Sequence, residues 1–346
     1  METPVDNQKN HEIRLKSRPV GLPTADNFEV AETPVPTPGA GQVLVRNSYI
    51  TVDPYMRGRM TDRKSYVPPF QIGETLQGGA VGQVVASNGN DKFKVGDFVQ
   101  SGHGWREWFV SSGGDLQPLA VAPGTQIQSY LGALGMPGLT AYAGLLRVGA
   151  LKEGERVFVS AAAGAVGSIA CQIAKAKGCY VVGSAGSDEK AAYLKSLGVD
   201  ETINYRTADD LNAAVAKAFP EGIDVYFENV GGAHLQAALN NMRPFGRIPF
   251  CGMIDMYNAT EPPPGPNNLA LIIGLQLTVK GFIVSSHYDM LADFHRDMAA
   301  WAKAGKMKWR DTIVDGVENA PQAFIGLFKG DNTGKMLVRV GPDKAV

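Results

Sequence analysis

The sequence predicts an α/β protein with a doubly wound parallel sheet and a second, β-rich domain. Three observations lead there. The 346 residues exceed one typical domain and suggest two. Strand and helix patterns alternate from residue 156 to about 251, which implies serial βα units and parallel strands. Before residue 130 the pattern differs, with short β-branched runs separated by glycine and proline turns.

Taking the elements in order, residues 42–50, 80–86, 98–101 and 108–110 read as strands, with turn clusters at 34–39 and 87–91. Residues 135–146 (GMPGLTAYAGLL) read as a helix after a Pro-Gly turn. Residues 156–160 form the first strand of the alternating region. Its helix carries Val166, Ile169, Ala170, Ile173 and Ala174 on one face, and Gly178 closes it. A strand at 179–184 and a helix at 188–197 follow, the latter ended by Gly198. Further strands are predicted at 202–204, 223–228 and 247–251, with helices near 208–219 and 233–242. A last strand at 336–340 returns toward the first domain. The domains are therefore expected at 1–133 with 310–346, and at 134–309.

Composition narrows the function. Hydrophobic residues make up 44% of the chain and charged residues 19%, enough for a sizeable core. With 33 basic and 34 acidic residues the net charge is −1, so nucleic acid is not an expected partner. No apolar run of eighteen residues suggests a membrane span, and the polar N-terminal stretch lacks the apolar core of a secretory signal. Three scattered cysteines, Cys171, Cys179 and Cys251, are too few for a disulfide framework. A cytoplasmic protein with reduced thiols is the expectation.

The stretch VFVSAAAGAVGSIACQIAKAKG (157–178) nearly matches G-x-G-x-x-G, with Ala162 in the place of the first glycine. The middle glycine of that pattern admits a pyrophosphate and the last lets helix pack on strand. Both are present, as Gly164 and Gly167. A helix N-terminus there offers free N–H groups to phosphate. An acid at the end of the second strand would select NAD. This chain has Ser184-Ala185-Gly186-Ser187 instead, with Asp188 and Glu189 only in the next helix and Lys190 beyond. A basic group near hydroxyls suits the 2′-phosphate of NADP, and these residues favour NADP over NAD. The plainer alternative for Lys190 is a solvated helix lysine.

A β-domain followed by a dinucleotide domain is also the order in zinc alcohol dehydrogenases. Zinc takes a compact Cys and His set. All three cysteines lie at or beyond residue 171, and the first 130 residues hold only His11 and His103. No zinc is expected, and His103 reads as a loop or core-edge residue. Without a Lewis acid to stabilise an alkoxide, hydride chemistry on a conjugated acceptor is favoured.

Several motifs then occur in order: VDPYMRGRM (52–60), GLTAY (138–142), AAAGAVG (161–167), ENVGG (228–232), CGMIDMYN (251–258), GFIV (281–284) and NTGKMLV (332–338). Together they resemble the zinc-independent branch of the medium-chain dehydrogenase/reductases. The likeness covers the whole chain and is nearest to prostaglandin reductases, alkenal double-bond reductases and NADPH-dependent curcumin reductases. It implies a GroES-like β-barrel domain and a Rossmann domain. The implied activity is NADPH-dependent reduction of the carbon–carbon double bond of enones and enals, and the implied assembly a homodimer. By analogy Gly164, Ala165, Val166 and Gly167 contact the pyrophosphate, and Lys190 with Tyr205 holds the 2′-phosphate. Asn229, Cys251, Gly252, Met253, Ile254, Asp255, Met256, Tyr257, Phe282, Ile283 and Val284 line the ribose and nicotinamide. Asn332 reaches the cofactor from the returning segment.

The chemistry needs hydride at the β-carbon, a stabilised enolate oxygen and a proton at the α-carbon. Donors aimed at developing negative charge are a large catalytic term. Tyr257 is the candidate near the carbonyl oxygen, and Tyr55 the candidate on the β-domain side; a cofactor-contact or wall tyrosine and a packing residue are their alternatives. Water suffices for the final proton. Arg57 and Arg59 read as solvated surface residues, with attraction of acidic substrate tails as the alternative. Cys251 reads as a small buried residue at a strand end. The proline-rich loop 262–266 is expected at the substrate mouth or a dimer contact. A quinone reductase of the same fold and a non-catalytic NADPH-binding protein remain alternatives.

Overall fold

A computed structural model describes residues 8–346. The reading of the N-terminal stretch as lacking a signal falls partly on residues 1–7, outside the described residues. The chain divides into two compact units. One takes the described part of Met1–Leu131 with Thr312–Asp331 and Met336–Val346; the other takes Gly132–Asp311 and Asn332–Lys335.

The first unit opens with an antiparallel pair, β1 (Lys9–Leu15) and β2 (Phe28–Pro34). The sequence reading placed no strand here, because KNHEIRL is mostly polar in letters. Its inward residues Ile13 and Leu15 are nonetheless fully buried. Next come β3 (Gln42–Thr51), the one-turn helix α1 (Met56–Arg59), β4 (Ala80–Asn88), β5 (Phe98–Ser101), β6 (Trp108–Ser111) and β7 (Gln117–Pro118). β3 is the central strand, antiparallel to both β4 and β6. Trp105 stacks on Phe28 at 6.0 Å between ring centroids within the core.

Arg57 and Arg59 correct the expectation of solvated arginines. They are 5% and 8% exposed. Arg57 donates to the carbonyls of Gly21 (2.9 Å) and Pro19 (3.3 Å). Arg59 donates to Pro68 O at 2.9 Å and Gln77 Oε1 at 2.8 Å, and lies 4.0 Å over the Phe70 ring. Both guanidiniums tie flanking loops to α1, and their long stems fill apolar space. His103 stacks on Phe109 at 4.4 Å and pairs with Asp115.

The second unit runs α2 (Met136–Ala143), β8 (Arg156–Val159), α3 (Gly167–Ala176), β9 (Tyr180–Ala185), α4 (Asp188–Ser196), β10 (Glu201–Asn204), α5 (Leu211–Ala218), β11 (Ile223–Phe227), α6 (Gly232–Asn241), β12 (Met242–Phe250), α7 (Leu271–Gly274), β13 (Thr278–Gly281) and α8 (Leu291–Lys303). The helix predicted over 135–146 divides: α2 stops at Ala143 and a π-turn covers Gly144–Val148. The rings of Phe227 and Phe282 press on Gly144, where a Cβ would stand 2.6 Å from each. The strands form one parallel sheet in the order β10-β9-β8-β11-β12-β13. The chain winds outward from β8 and then crosses back to β11, so the topological switch lies between those two. Ligands of open α/β sheets bind beyond the strand C-termini at that point.

The chain then adds β14 (Asp311–Asp315), α9 (Ala320–Lys329) and β15 (Lys335–Arg339). β15 pairs antiparallel with β3, Leu337 opposite Thr51, so the predicted C-terminal strand rejoins the first unit's sheet.

Candidate functional site

The β8–α3 turn bends at Ala161, which takes a left-handed φ of 47°. A Cβ on Gly167 would collide with Ala161 O and stand 2.8 Å from Ala162 Cα. Helix and strand can therefore close together only over glycine. Gly164 differs. A Cβ there would meet only Ala161 O, at 3.2 Å, so the space over the turn is open. Ala165 and Val166 complete the turn, and α3 then runs for ten residues. The first N–H groups of a helix have no intrahelical partners and favour anions. The returning segment braces this turn. Gly334 N–H donates to Ala163 O at 2.8 Å, Gly164 and Gly334 form a parallel bridge, and Asn332 Nδ2 donates to Gly334 O at 2.8 Å.

A second cluster lies at the end of β9. Ser187 caps α4, its Oγ accepting from the Lys190 N–H at 3.3 Å. Asn204 Nδ2 donates to Asp188 Oδ1 at 2.7 Å, so this acid at the start of α4 is engaged by the end of β10. Tyr205 N–H extends the strand pairing to Ala185 O at 3.1 Å. A Cβ on Gly186 would stand 2.8 Å from the Tyr205 hydroxyl and 3.3 Å from Arg206 Nε. A phenol and a guanidinium thus flank Gly186, with Lys190 in the first turn of the next helix. Sequence reasoning stopped at Tyr205 and passed over Arg206, although the two are adjacent.

A third cluster joins the ends of β8, β11 and β12. Asn229 Nδ2 donates to Ser160 O at 2.7 Å, and its N–H to Ser160 Oγ at 2.9 Å. Glu228, also missed, is fully buried. Its Oε1 accepts from Tyr226 Oη (2.8 Å), Val230 N–H (2.6 Å) and Gly231 N–H (2.9 Å), while its Oε2 has no partner. Burial raises this carboxyl above the ordinary range. Its main chain also works, because Glu228 O accepts from Cys251 N–H at 2.9 Å. Ile254 and Asp255 donate to Asn229 O and Val230 O, both at 3.1 Å. The segment from Cys251 through Gly252, Met253 and Met256 to Tyr257 is therefore stitched onto the β11 turn. Tyr257 Oη accepts from Met253 N–H at 3.3 Å. Burial pushes the Cys251 thiol up to about 12, which makes it a poor nucleophile. Phe282 meets Phe227 edge-on at 6.4 Å, Val284 packs on the core, and Ile283 is exposed.

All the predicted cofactor residues thus belong to the second unit and gather at three places along its strand ends. Tyr55 belongs to the first unit, as the residue before α1.

Two family models match the chain: one described as the N-terminal domain of oxidoreductase over residues 11–119, the other as zinc-binding dehydrogenase over residues 165–302. The NADPH-dependent curcumin reductase of Escherichia coli is 47% identical over 97% of this chain and 98% of its own length. The NADP⁺-dependent 2-alkenal reductase of Nicotiana tabacum is 42% identical over 96% and 97%. The chain belongs to the medium-chain dehydrogenase/reductase family. Within that family it is similar to the crystal structure of CurA in complex with NADPH from Vibrio vulnificus, with a TM-score of 0.91, 44% identity, and coverage of 96% of this chain and 99% of that one.

The zinc of that second model's description does not suit this chain's donors. Among the described residues no group of three or more His, Cys, Asp or Glu is placed to hold a metal ion. Cys171 and Cys179 are buried in the second unit as separate thiols.

Proposed function

We propose that this medium-chain dehydrogenase/reductase reduces the carbon–carbon double bond of α,β-unsaturated ketones and aldehydes with NADPH. The observation that carries the cofactor is the hydroxyl of Tyr205 and the guanidinium of Arg206 beside Gly186, with Lys190 in the first turn of α4 and Asp188 bonded to Asn204. The relatives supply the substrate class, since a 2-alkenal is by definition an α,β-unsaturated aldehyde.

NADPH, when bound, would supply the hydride that the β-carbon of the acceptor needs. The open space over Gly164 and the α3 N-terminus suit its pyrophosphate, and Lys190, Tyr205 and Arg206 suit its 2′-phosphate. Asn229, the segment 251–257, Phe282, Ile283, Val284 and Asn332 would form the ribose and nicotinamide end. Tyr257 Oη accepts a hydrogen bond from Met253 N–H, which holds the phenol within the 251–257 segment, and its hydroxyl would donate to a carbonyl oxygen as enolate charge develops. Water protonates the α-carbon.

The cysteines are all free, which suits a reducing cytoplasm. No helix among the described residues is long and apolar enough to cross a membrane. We assign a homodimer through β13, an edge strand with every residue exposed, flanked by Ile273 at 82% exposure. Exposed sheet edges are templates for pairing. Light scattering that gives a monomer mass would refute this assembly.

The deciding experiment is an acceptor panel with NADPH and product identification. A saturated ketone or aldehyde is expected. An allylic alcohol, or turnover confined to quinones, would overturn the reading.

A further inference from the structure

His234 lies in the first turn of α6 and the proposed chemistry does not use it. It is 5% exposed, and its Nε2 is buried without a partner. An orphaned buried ring nitrogen is destabilising, so the imidazole's place calls for a reason. Its ring stands 5.0 Å from the Tyr205 ring, at 78° between planes. Perpendicular aromatic pairs at this spacing are attractive. Tyr205 itself is 37% exposed and follows the last residue of β10. Its hydroxyl must nevertheless stay over Gly186, beside Arg206.

We infer that His234 is a positioning residue: its ring braces Tyr205 over Gly186 and so sharpens the preference for a 2′-phosphorylated dinucleotide. The inference rests on the NADPH reading above. It uses the ring and not the nitrogen, so phenylalanine should replace it.

The test is titration of NADPH and NADH by cofactor fluorescence without any acceptor, and of 2′,5′-ADP by calorimetry. His234→Ala should weaken NADPH and 2′,5′-ADP by about 3- to 10-fold, the range expected for an aromatic pair, and leave NADH within about twofold. His234→Phe should bind as the unaltered protein does. In a Tyr205→Leu background, His234→Ala should add no further loss, because the effect passes through Tyr205. If His234→Ala does not fold, His234→Leu, which fills the space without a ring, carries the same comparison. Equal weakening of NADPH and NADH, or additive losses in the double variant, would overturn the inference. Failure of the unaltered protein to bind NADPH or 2′,5′-ADP would instead overturn the cofactor assignment on which it rests.

Discussion

The methyl group of Ala162 sits in the space that Gly183 leaves bare. A Cβ on Gly183 would stand 2.8 Å from Ala162 Cβ and 3.1 Å from Leu194 Cδ1. The alanine that replaces the first glycine of the phosphate turn is thus matched by a glycine on the neighbouring strand β9. Gly183→Ala should lower unfolding free energy by ~1–3 kcal/mol through overpacking. Ala162→Gly added to it should recover part of that loss. Denaturant unfolding of both single variants and the double variant checks this, and strictly additive losses would count against the match.

The proposed 2′-phosphate site beside Gly186 is tested through its cations. If Lys190 holds that phosphate, Lys190→Ala should remove one charge-assisted hydrogen bond, worth roughly 1.5–3 kcal/mol, or about 10–150-fold in NADPH binding. NADH has no 2′-phosphate and should be little affected. Arg206→Ala should act in the same direction. Parallel titrations of the two cofactors measure it, and equal losses would remove the 2′-phosphate assignment.

How far the sequence spoke depended on whether the signal was local. The βα units announced themselves because helical periodicity, a closing glycine and a strand recur within thirty residues, as from Val157 to Gly178. The β1–β2 pair escaped because Asn10, Glu12 and Arg14 dominate its letters, and its burial depends on partners distant in the chain, such as the bond from Ile13 N–H to Trp105 O. Arg57 and Arg59 were misjudged for a related reason. Arginine is exposed by default, and nothing near residue 57 reveals that Pro19, Gly21 and Pro68 need donors for their carbonyls. Within the candidate site the turn, Lys190 and Tyr205 were named from spacing or resemblance, and their cofactor contacts are the reading proposed above. Glu228 and His234 were not, since their roles consist of contacts.

Glu228 offers a test of one such contact set. Glu228→Gln keeps an acceptor oxygen for the Tyr226 hydroxyl and the Val230 and Gly231 N–H groups, and it removes a carboxyl whose ionised form burial disfavours. It should change stability by less than about 1 kcal/mol. Glu228→Ala strands those donors in a buried site and should cost ~2–4 kcal/mol, from more than one unsatisfied group. Thermal and urea unfolding separate the two. Equal losses would mean that the negative charge, and not the acceptor, is what the site requires.

Tyr257→Phe separates chemistry from binding. The ring and its place in the 251–257 segment are kept, while the hydroxyl that faces Met253 N–H is lost. If that hydroxyl serves the enolate oxygen, kcat should fall toward the ~10²-fold loss typical of a single oxyanion donor. NADPH affinity from fluorescence titration should hold within about twofold. A raised NADPH Kd with unchanged kcat would make Tyr257 a wall residue.

The pH dependence of stability should carry the mark of His234. Burial lowers its pKa from 6.5 to about 4 in the folded chain. The unfolded chain takes up the proton near pH 6.5 and the folded chain only near pH 4. The neutral imidazole's full contribution is therefore present above about pH 6.5 and is lost as pH falls toward 4, at roughly 1.4 kcal/mol per pH unit. Glu228 and Asp311, both raised by burial, slope the other way, so the unaltered protein alone shows only the sum. The difference between His234→Phe and the unaltered protein isolates the imidazole. That difference should shift in favour of the variant by ~2 kcal/mol between pH 7.5 and pH 5, as read from urea unfolding at each pH. A difference that stays constant would show that the imidazole titrates alike in the folded and unfolded chains, and that it is not held neutral in the core.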